Sequence, residues 1–333
     1  MHANDLSSSA AEVAQRAQRK VNYLPWVITF AVCAVVPFGV YPVFAMELMC
    51  FALFACAFNL LQGFGGLLSF GHAAFFGGAA YVAGYVMKEW GFTPELGLLA
   101  GTLSGAVLGL LFGFVAIRRQ GIYFAMVTLA LAQIVFFLCV EAPFTGGEDG
   151  LQGIPKGHLF GLLDLSTTVT VGDQQLPLRL YYFVLVVTLG AYWLIWRLVN
   201  SPFGAVLKAI RENEPRAVSL GYTTERYKLF AFVLSAALAG LAGSTKALVM
   251  GLASLTDVNW HTSGEVVLMT LMGGMGTLSG PVVGAITVRV LHSELASFGS
   301  WVTVIIGFVF VLCVMTFRRG IVGELAHRFK KSF

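Results

Sequence analysis

"LLSFGHAAFFGGAAYVAGYVM" (Leu67–Met87) contains no Asp, Glu, Lys or Arg, and as a helix it would cover the ~30 Å apolar thickness of a bilayer. Its small residues recur at four-residue steps: Ala73 to Gly77, Ala74 to Gly78, Ala79 to Ala83 and Ala80 to Gly84. That spacing lets helix backbones approach closely in lipid, where apolar bulk alone gives helices no reason to associate. The stretch predicts a membrane helix in a bundle. One imidazole, His72, sits within it. Two readings of that histidine stay open: a packing residue bonded to a neighbour, or a group touching a transported substrate.

The rest of the chain agrees. Of 333 residues, 57% are hydrophobic and 11% charged, less than half the ~25% charged of a soluble domain. We expect an all-α polytopic integral membrane protein. Hydropathy places spans at 22–41, 43–62, 67–87, 95–117, 121–140, 180–199, 229–250, 264–276, 279–297 and 299–317. The polar opening "MHANDLSSSAAEVAQRAQRK" has no small-residue cleavage site after a short apolar run, so 1–21 reads as a retained cytoplasmic tail. Cys33, Cys50, Cys56, Cys139 and Cys313 lie in apolar runs without metal or CxxC spacing and read as small core residues.

Basic residues decide the parity, because cytoplasmic loops collect Lys and Arg. Ten crossings with both termini inside put Arg16, Arg19, Lys20, Arg118, Arg119, Arg197, the basic residues of 200–228, and Arg318, Arg319, Arg328, Lys330 and Lys331 on the inner side. Only Lys88, Lys156, Arg179 and Lys246 then lie toward the outside. The short eighth segment, "GEVVLMTLMGGMGTLSGP" (Gly264–Pro281), is rich in glycine and has the alternative of a broken or re-entrant helix. Ten crossings divide into five plus five, the arrangement of an inverted repeat. The expected organisation is a tail (1–21), a transmembrane permease domain (22–317) and a second cytoplasmic tail (318–333).

Two loops stand out. The external loop 142–179 contains "FTGGEDGLQGIP" and carries Glu148, Asp149, Asp164 and Asp173 against Lys156 and Arg179. It is either a solvated connector or a dock for a soluble partner. The inner loop 200–228 holds a helical candidate between Pro202 and Pro215, with Phe203, Val206, Leu207 and Ile210 on one face. Such a helix suits the bilayer surface or a groove on a cytoplasmic partner.

No phosphate-cradling GxxxxGK[ST] loop, HExxH or GxSxG is present, so the chain is expected to hydrolyse no nucleotide and to be no enzyme. Glu47, Lys246, Glu265, Arg289, His292 and Glu294 lie in or beside spans, where charged side chains face the bundle interior or an interface. Their spacing indicates no pairing. An ATPase-independent secondary transporter would need coupling-ion groups such as paired carboxylates at mid-membrane. A membrane scaffold would need no basic inner loop facing a nucleotide-dependent partner.

Five stretches taken together resemble one family. "GLLSFGHAAFFGGAAY", "RRQGIYFAMVTLALAQIV", "FTGGEDGLQGIP", "SPFGAVLKAIRENEPRAVSLGYTTERYKLFAFVLSAALAGLAG" and "LMGGMGTLSGPVVGA" occur in that order between Gly66 and Ala285. The ordered set is similar to the LivM-type membrane permeases of branched-chain amino acid ABC importers. The resemblance implies an ABC importer permease fold in the bacterial inner membrane. Its implied partners are a second, homologous LivH-type permease, two cytoplasmic ATPase subunits that bind the ATP, a periplasmic amino acid binding protein and the lipid bilayer, with no nucleic acid. No cofactor or metal is expected on this chain. The related cargo classes are urea and short amides.

The resemblance also distributes roles. The candidate substrate path comprises Phe70, Gly71, His72, Phe75, Phe76, Gly77, Gly78, Gly273, Gly274 and Gly276. ATPase coupling falls to Phe203, Leu207, Ile210, Arg211, Glu212, Glu214, Ala217 and Gly221, and binding-protein docking to Gly146, Gly147, Glu148 and Asp149. Ala217 and Gly221 keep the final spacing of the importers' Glu-Ala-Ala-x3-Gly pattern, while Pro215 and Arg216 depart from it. Ser279, where many relatives are expected to have tryptophan, and Lys246 are further departures. The expected mechanism is alternating access, with the small-residue spans rocking against one another.

Overall fold

The computed structural model of the chain describes residues 31–316, apart from 160, 162, 172, 173 and 300, together with 320–328. The expected tail 1–21, residues 22–30 of the first expected span, and Asp173, Arg318, Arg319, Lys330 and Lys331 lie outside the described residues.

The described chain is mainly helical. Its helices are α1 (Pro42–Asn59), continued by a π turn Leu60–Phe64, α2 (His72–Glu89), α3 (Pro94–Ala116), α4 (Ile122–Glu141) and α5 (Leu178–Val199). Then come α6 (Pro202–Glu212), α7 (Glu214–Ser219), α8 (Thr224–Met250), α9 (Leu255–Val258), α10 (Trp260–Gly273), α11 (Gly280–Glu294), α12 (Trp301–Thr316) and α13 (Gly320–Arg328). Prolines open α1, α3 and α6, where the missing N–H costs no helical bond. Asn213 and Asn259 cap α7 and α10 by accepting from the backbone N–H of Arg216 and His261, each at 3.1 Å.

Among the described residues five helices are long and apolar enough to cross a membrane: α1 with its π turn, α3, α4, α5 and α8. Helix α2 is outside that set because His72, Lys88 and Glu89 fall within its 18 residues and lower its mean hydropathy, yet most of it is buried. The apolar stretches of α1 and α8 are 72% buried within the chain, against 33% for α3, α4 and α5. That difference orders the bundle: α1, α2 and α8 form the centre, and the other three present Leu103, Phe114, Ile122, Phe137 and Val186 outward. A Cβ added to Gly243 of α8 would lie 1.8 Å from the Phe76 carbonyl oxygen, so α8 and α2 touch backbone to backbone.

The eighth expected span is longer at its start than the sequence suggests, since α10 begins at Trp260. It breaks at Gly274, and α11 starts at Gly280 and packs on it. With 14 and 15 residues, each is about 21–22 Å long, short of the ~30 Å hydrocarbon core. The loop 142–179, expected outside, is built from 3-10 turns and paired strands. Leu151–Gln152 pairs antiparallel with Leu252–Ala253, His158–Leu159 with Leu163–Asp164, and Val169–Val171 with Gln174–Leu176.

Candidate functional site

His72, at the start of α2, is fully buried. Its ring makes edge contacts with Phe58 at 4.9 Å, Phe75 at 5.6 Å and Phe232 at 6.3 Å between centroids. Nε2 lies 2.9 Å from Ser235 Oγ, whose own proton goes to the Ala57 carbonyl at 2.6 Å. This network assigns the ring proton to Nε2, donating to Ser235. Nδ1 is buried without a hydrogen-bond partner. His72 thus joins α1, α2 and α8, which is the packing reading.

The other expected path residues divide between two places. Phe75 and Phe76 are buried in the same core, Phe76 stacked on Phe54 at 4.4 Å. Phe70 and Gly71 form the turn into α2, where the Phe70 N–H donates to Thr128 Oγ1 at 3.1 Å. Gly78 borders an apolar cavity of about 410 Å³ with Tyr81, Leu108 and Val135. Gly273, Gly274 and Gly276 instead lie at the break between α10 and α11. Asn59 clamps that break, donating to Thr277 O at 2.8 Å and accepting from Gly276 N at 3.0 Å.

The break also meets the inner loop. Arg211 of α6 donates to the Gly63 carbonyl in the π turn, and a Cβ on Gly276 would lie 3.2 Å from its Nη1. Leu207 and Ile210 are buried, Phe203 stacks on Tyr227 at 5.9 Å, and Lys208 lies 5.3 Å from the Phe64 ring centroid. The apolar face of α6 therefore packs on its own chain rather than projecting as a plug. The charged side chains that α6 shows to solvent are Lys208, Arg211 and Glu212; α7 and its end expose Arg216 with the apolar Val218 and Leu220. Glu214 is held by Lys228 at 2.5 Å, and Ala217 is buried beneath the turn that Gly221 closes.

In the loop between α4 and α5 Gly146 and Gly147 turn the chain, leaving Glu148 and Asp149 exposed. The ladder at Leu151–Gln152 and the Ile154 N–H, donating to Gly251 O at 3.0 Å, tie this loop to the end of α8. Further along, Ser166 gives Asp164 both its hydroxyl at 2.6 Å and its backbone N–H at 2.8 Å, holding that carboxyl below the ordinary carboxylate range.

Sequence reasoning missed the pairing of the charges. Arg289 pairs with Glu47 and Lys246 with Asp257, both pairs largely buried, and the partly exposed His292 lies 3.6 Å from Glu265. Asp257 was not singled out by any motif; the signal available was Lys246 itself, a cation needing a carboxylate nearby. Gly77 makes the pair possible. A Cβ there would lie 2.4 Å from Val258 Cγ2 and 2.6 Å from Val258 N, so only glycine lets α9 rest on α2.

The model of the family described as branched-chain amino acid transport system permease component matches residues 43–314. The chain is 31% identical over 271 residues to the high-affinity branched-chain amino acid transport system permease protein LivM of Escherichia coli K12, covering 77% of this chain and 62% of that protein. It is 25% identical over 222 residues to a probable branched-chain amino acid transport permease protein LivH of Methanocaldococcus jannaschii, covering 64% and 66%. With the autoinducer 2 import system permease protein LsrC of Salmonella paratyphi B it shares 29% over 217 residues, covering 63% and 58%. The chain thus spans about three fifths of the length of the LivM relative, 62%. No solved structure matches it.

Proposed function

This chain belongs to the branched-chain amino acid transport system permease family, and from that premise we propose that it is the membrane permease subunit of an ATP-driven importer of branched-chain or other hydrophobic amino acids. The observation that carries the proposal is the family match over 43–314, which includes both the α6 face and the external loop. In this reading the permease sits in a bacterial inner membrane with ten crossings in a five-plus-five inverted repeat and both termini in the cytoplasm. A LivH-type permease is its membrane partner. Two cytoplasmic ATPases bind and hydrolyse the ATP, and this chain has no ATPase site, cofactor or metal of its own.

A periplasmic binding protein docks at Gly146, Gly147, Glu148 and Asp149 and releases its cargo into the outer mouth. ATP-driven closure of the ATPases moves α6 and α7 through their exposed polar face. Arg211 passes that motion to the π turn at Gly63 and so to the Asn59-clamped break between α10 and α11. The break, with two short half-helices, supports a hinge better than the α2–α8 contact does, because backbones touching at Gly243 and Phe76 leave no clearance for sliding. The α1–α2–α8 block then moves as one body, and alternating access follows from the half-helices moving against it.

Purification of the tagged chain from its native membrane in mild detergent, with mass spectrometry of its companions and radiolabelled leucine uptake with and without the gene, tests this. ATPases and a second permease, with gene-dependent leucine uptake, are expected. The same companions with leucine uptake unchanged would keep the importer and move the cargo to urea or short amides. A chain that transports alone would return the ATPase-independent transporter.

A further inference from the structure

Four separate segments bring charges to one phenyl ring. Glu47 stands one helical turn before Phe51 on α1, Lys246 lies near the end of α8, Asp257 on α9 and Arg289 on α11. The Arg289 guanidinium carbon is 4.2 Å from the Phe51 ring centroid and Lys246 Nζ is 5.2 Å from it. Phe76 extends the same aromatic floor, its centroid 5.6 Å from that of Phe51 and 5.9 Å from Lys246 Nζ. Each cation is matched by a carboxylate, Arg289 by Glu47 and Lys246 by Asp257.

Placing four charges inside a membrane bundle is expensive, and a pair of apolar residues would hold the same helices together at no such cost. Two features separate this cluster from a plain packing device. Arg289 Nε is buried with no hydrogen-bond partner, so the guanidinium keeps a donor unused. The Glu47 and Arg289 side chains retain 15% and 20% exposure, so the pair is reached at its edge, while Arg289 Nε and the Phe51 and Phe76 rings are buried and come within reach when the pair separates.

We propose that the Glu47–Arg289 pair, on the Phe51 and Phe76 rings, is a transient binding station for the zwitterionic backbone of an amino acid in transit. The inference rests on the amino acid reading above and deepens it. The incoming carboxylate accepts from Arg289, including its spare Nε–H, while the incoming ammonium donates to Glu47 and faces the Phe51 ring. No covalent bond changes. Lys246 and Asp257 balance each other on the same floor.

Charge arithmetic sets the specificity. The four side chains carry two positive and two negative charges, so inserting a zwitterion leaves the site neutral. A cargo with one net charge would leave an unpaired charge in a low-dielectric site, which is strongly disfavoured. A neutral amide could hydrogen-bond both side chains but would bring no charge to replace the partner that each loses when the pair separates. The station therefore passes neutral amino acids and disfavours lysine, glutamate and urea. In the proposed topology Glu47 and Lys246 fall toward the outer side of the membrane, where a binding protein would release cargo, and Arg289 lies near mid-membrane.

The test uses the whole assembly, with both permeases, ATPases and binding protein, reconstituted in vesicles. The double variant Glu47→Gln/Arg289→Gln removes both charges together and leaves no lone buried ion. Leucine uptake is expected to fall at least about tenfold, while ATP hydrolysis stimulated by loaded binding protein stays within about twofold. Because that variant could fail to assemble, the wild-type assembly is also irradiated with a diazirine analogue of leucine during turnover. Adducts are expected in the peptides carrying Glu47 to Phe51 or Phe76. Leucine uptake unchanged in an assembled double variant, or adducts confined to other segments, would overturn the station alone. No leucine uptake by the wild-type assembly would overturn the amino acid reading and the station with it.

Discussion

Arg211, on the last turn of α6, donates to the carbonyl of Gly63 in the π turn that ends α1. This bond joins a solvent-facing helix to the break between α10 and α11, because Asn59 and Gly276 lie against the same turn. A hydrogen bond from a charged donor contributes about 1.5–3 kcal/mol, which corresponds to roughly tenfold or more in a rate. Arg211→Ala is expected to lower leucine uptake about tenfold while ATP hydrolysis by the assembly is retained. Uptake and hydrolysis measured on the same vesicles check this. A parallel fall in both would assign Arg211 to ATPase docking instead.

His72 is expected to act through stability. His72→Ala removes a ring packed against Phe58, Phe75 and Phe232 and should cost on the order of 3 kcal/mol. His72→Phe keeps most of the packing but loses the bond to Ser235, costing about 1 kcal/mol. Thermal unfolding in detergent reads the difference, with the KM for uptake unchanged in both. A raised KM without loss of stability would place His72 in the substrate path.

Gly243→Val tests the backbone contact between α8 and α2. The carbonyl oxygen of Phe76, 1.8 Å from the added Cβ, belongs to the main chain and has no rotamer by which to move aside. Destabilisation of roughly 3 kcal/mol, or failure to accumulate in the membrane, is expected. Normal abundance with an unshifted melting temperature would show that the two helices separate easily.

Glu148 and Asp149 are exposed on a loop whose backbone is pinned, so their removal should alter association rather than folding. The pair Glu148→Gln/Asp149→Asn is expected to slow binding-protein association several-fold at low salt, with the difference shrinking near 0.5 M salt. Surface plasmon resonance against the immobilised permease measures it. Unchanged association at every salt concentration would move the dock elsewhere.

The helices were largely legible because each apolar run is continuous: expected spans 43–62, 95–117, 121–140, 180–199 and 229–250 coincide with α1, α3, α4, α5 and α8. Glycine and proline between Gly273 and Pro281 also marked the break before α11. Two things were not legible. The apolar face of α6 has the same periodicity whether it meets lipid, a partner or its own chain, and it meets its own chain through Leu207 and Ile210. The charge pairs join residues as distant as Glu47 and Arg289, and no local spacing encodes a contact across 242 positions.

The short ladder between Leu151–Gln152 and Leu252–Ala253 attaches the loop between α4 and α5 to the end of α8. One of its strands follows Glu148 and Asp149 within three residues, and the other precedes Asp257 by four. The loop is consequently a lever arm rather than a rim. In the proposed docking, a load applied at the two exposed carboxylates would pass along the ladder to the segment whose Asp257 holds Lys246, so that the arrival of a partner and the loosening of a charge pair would be one mechanical event.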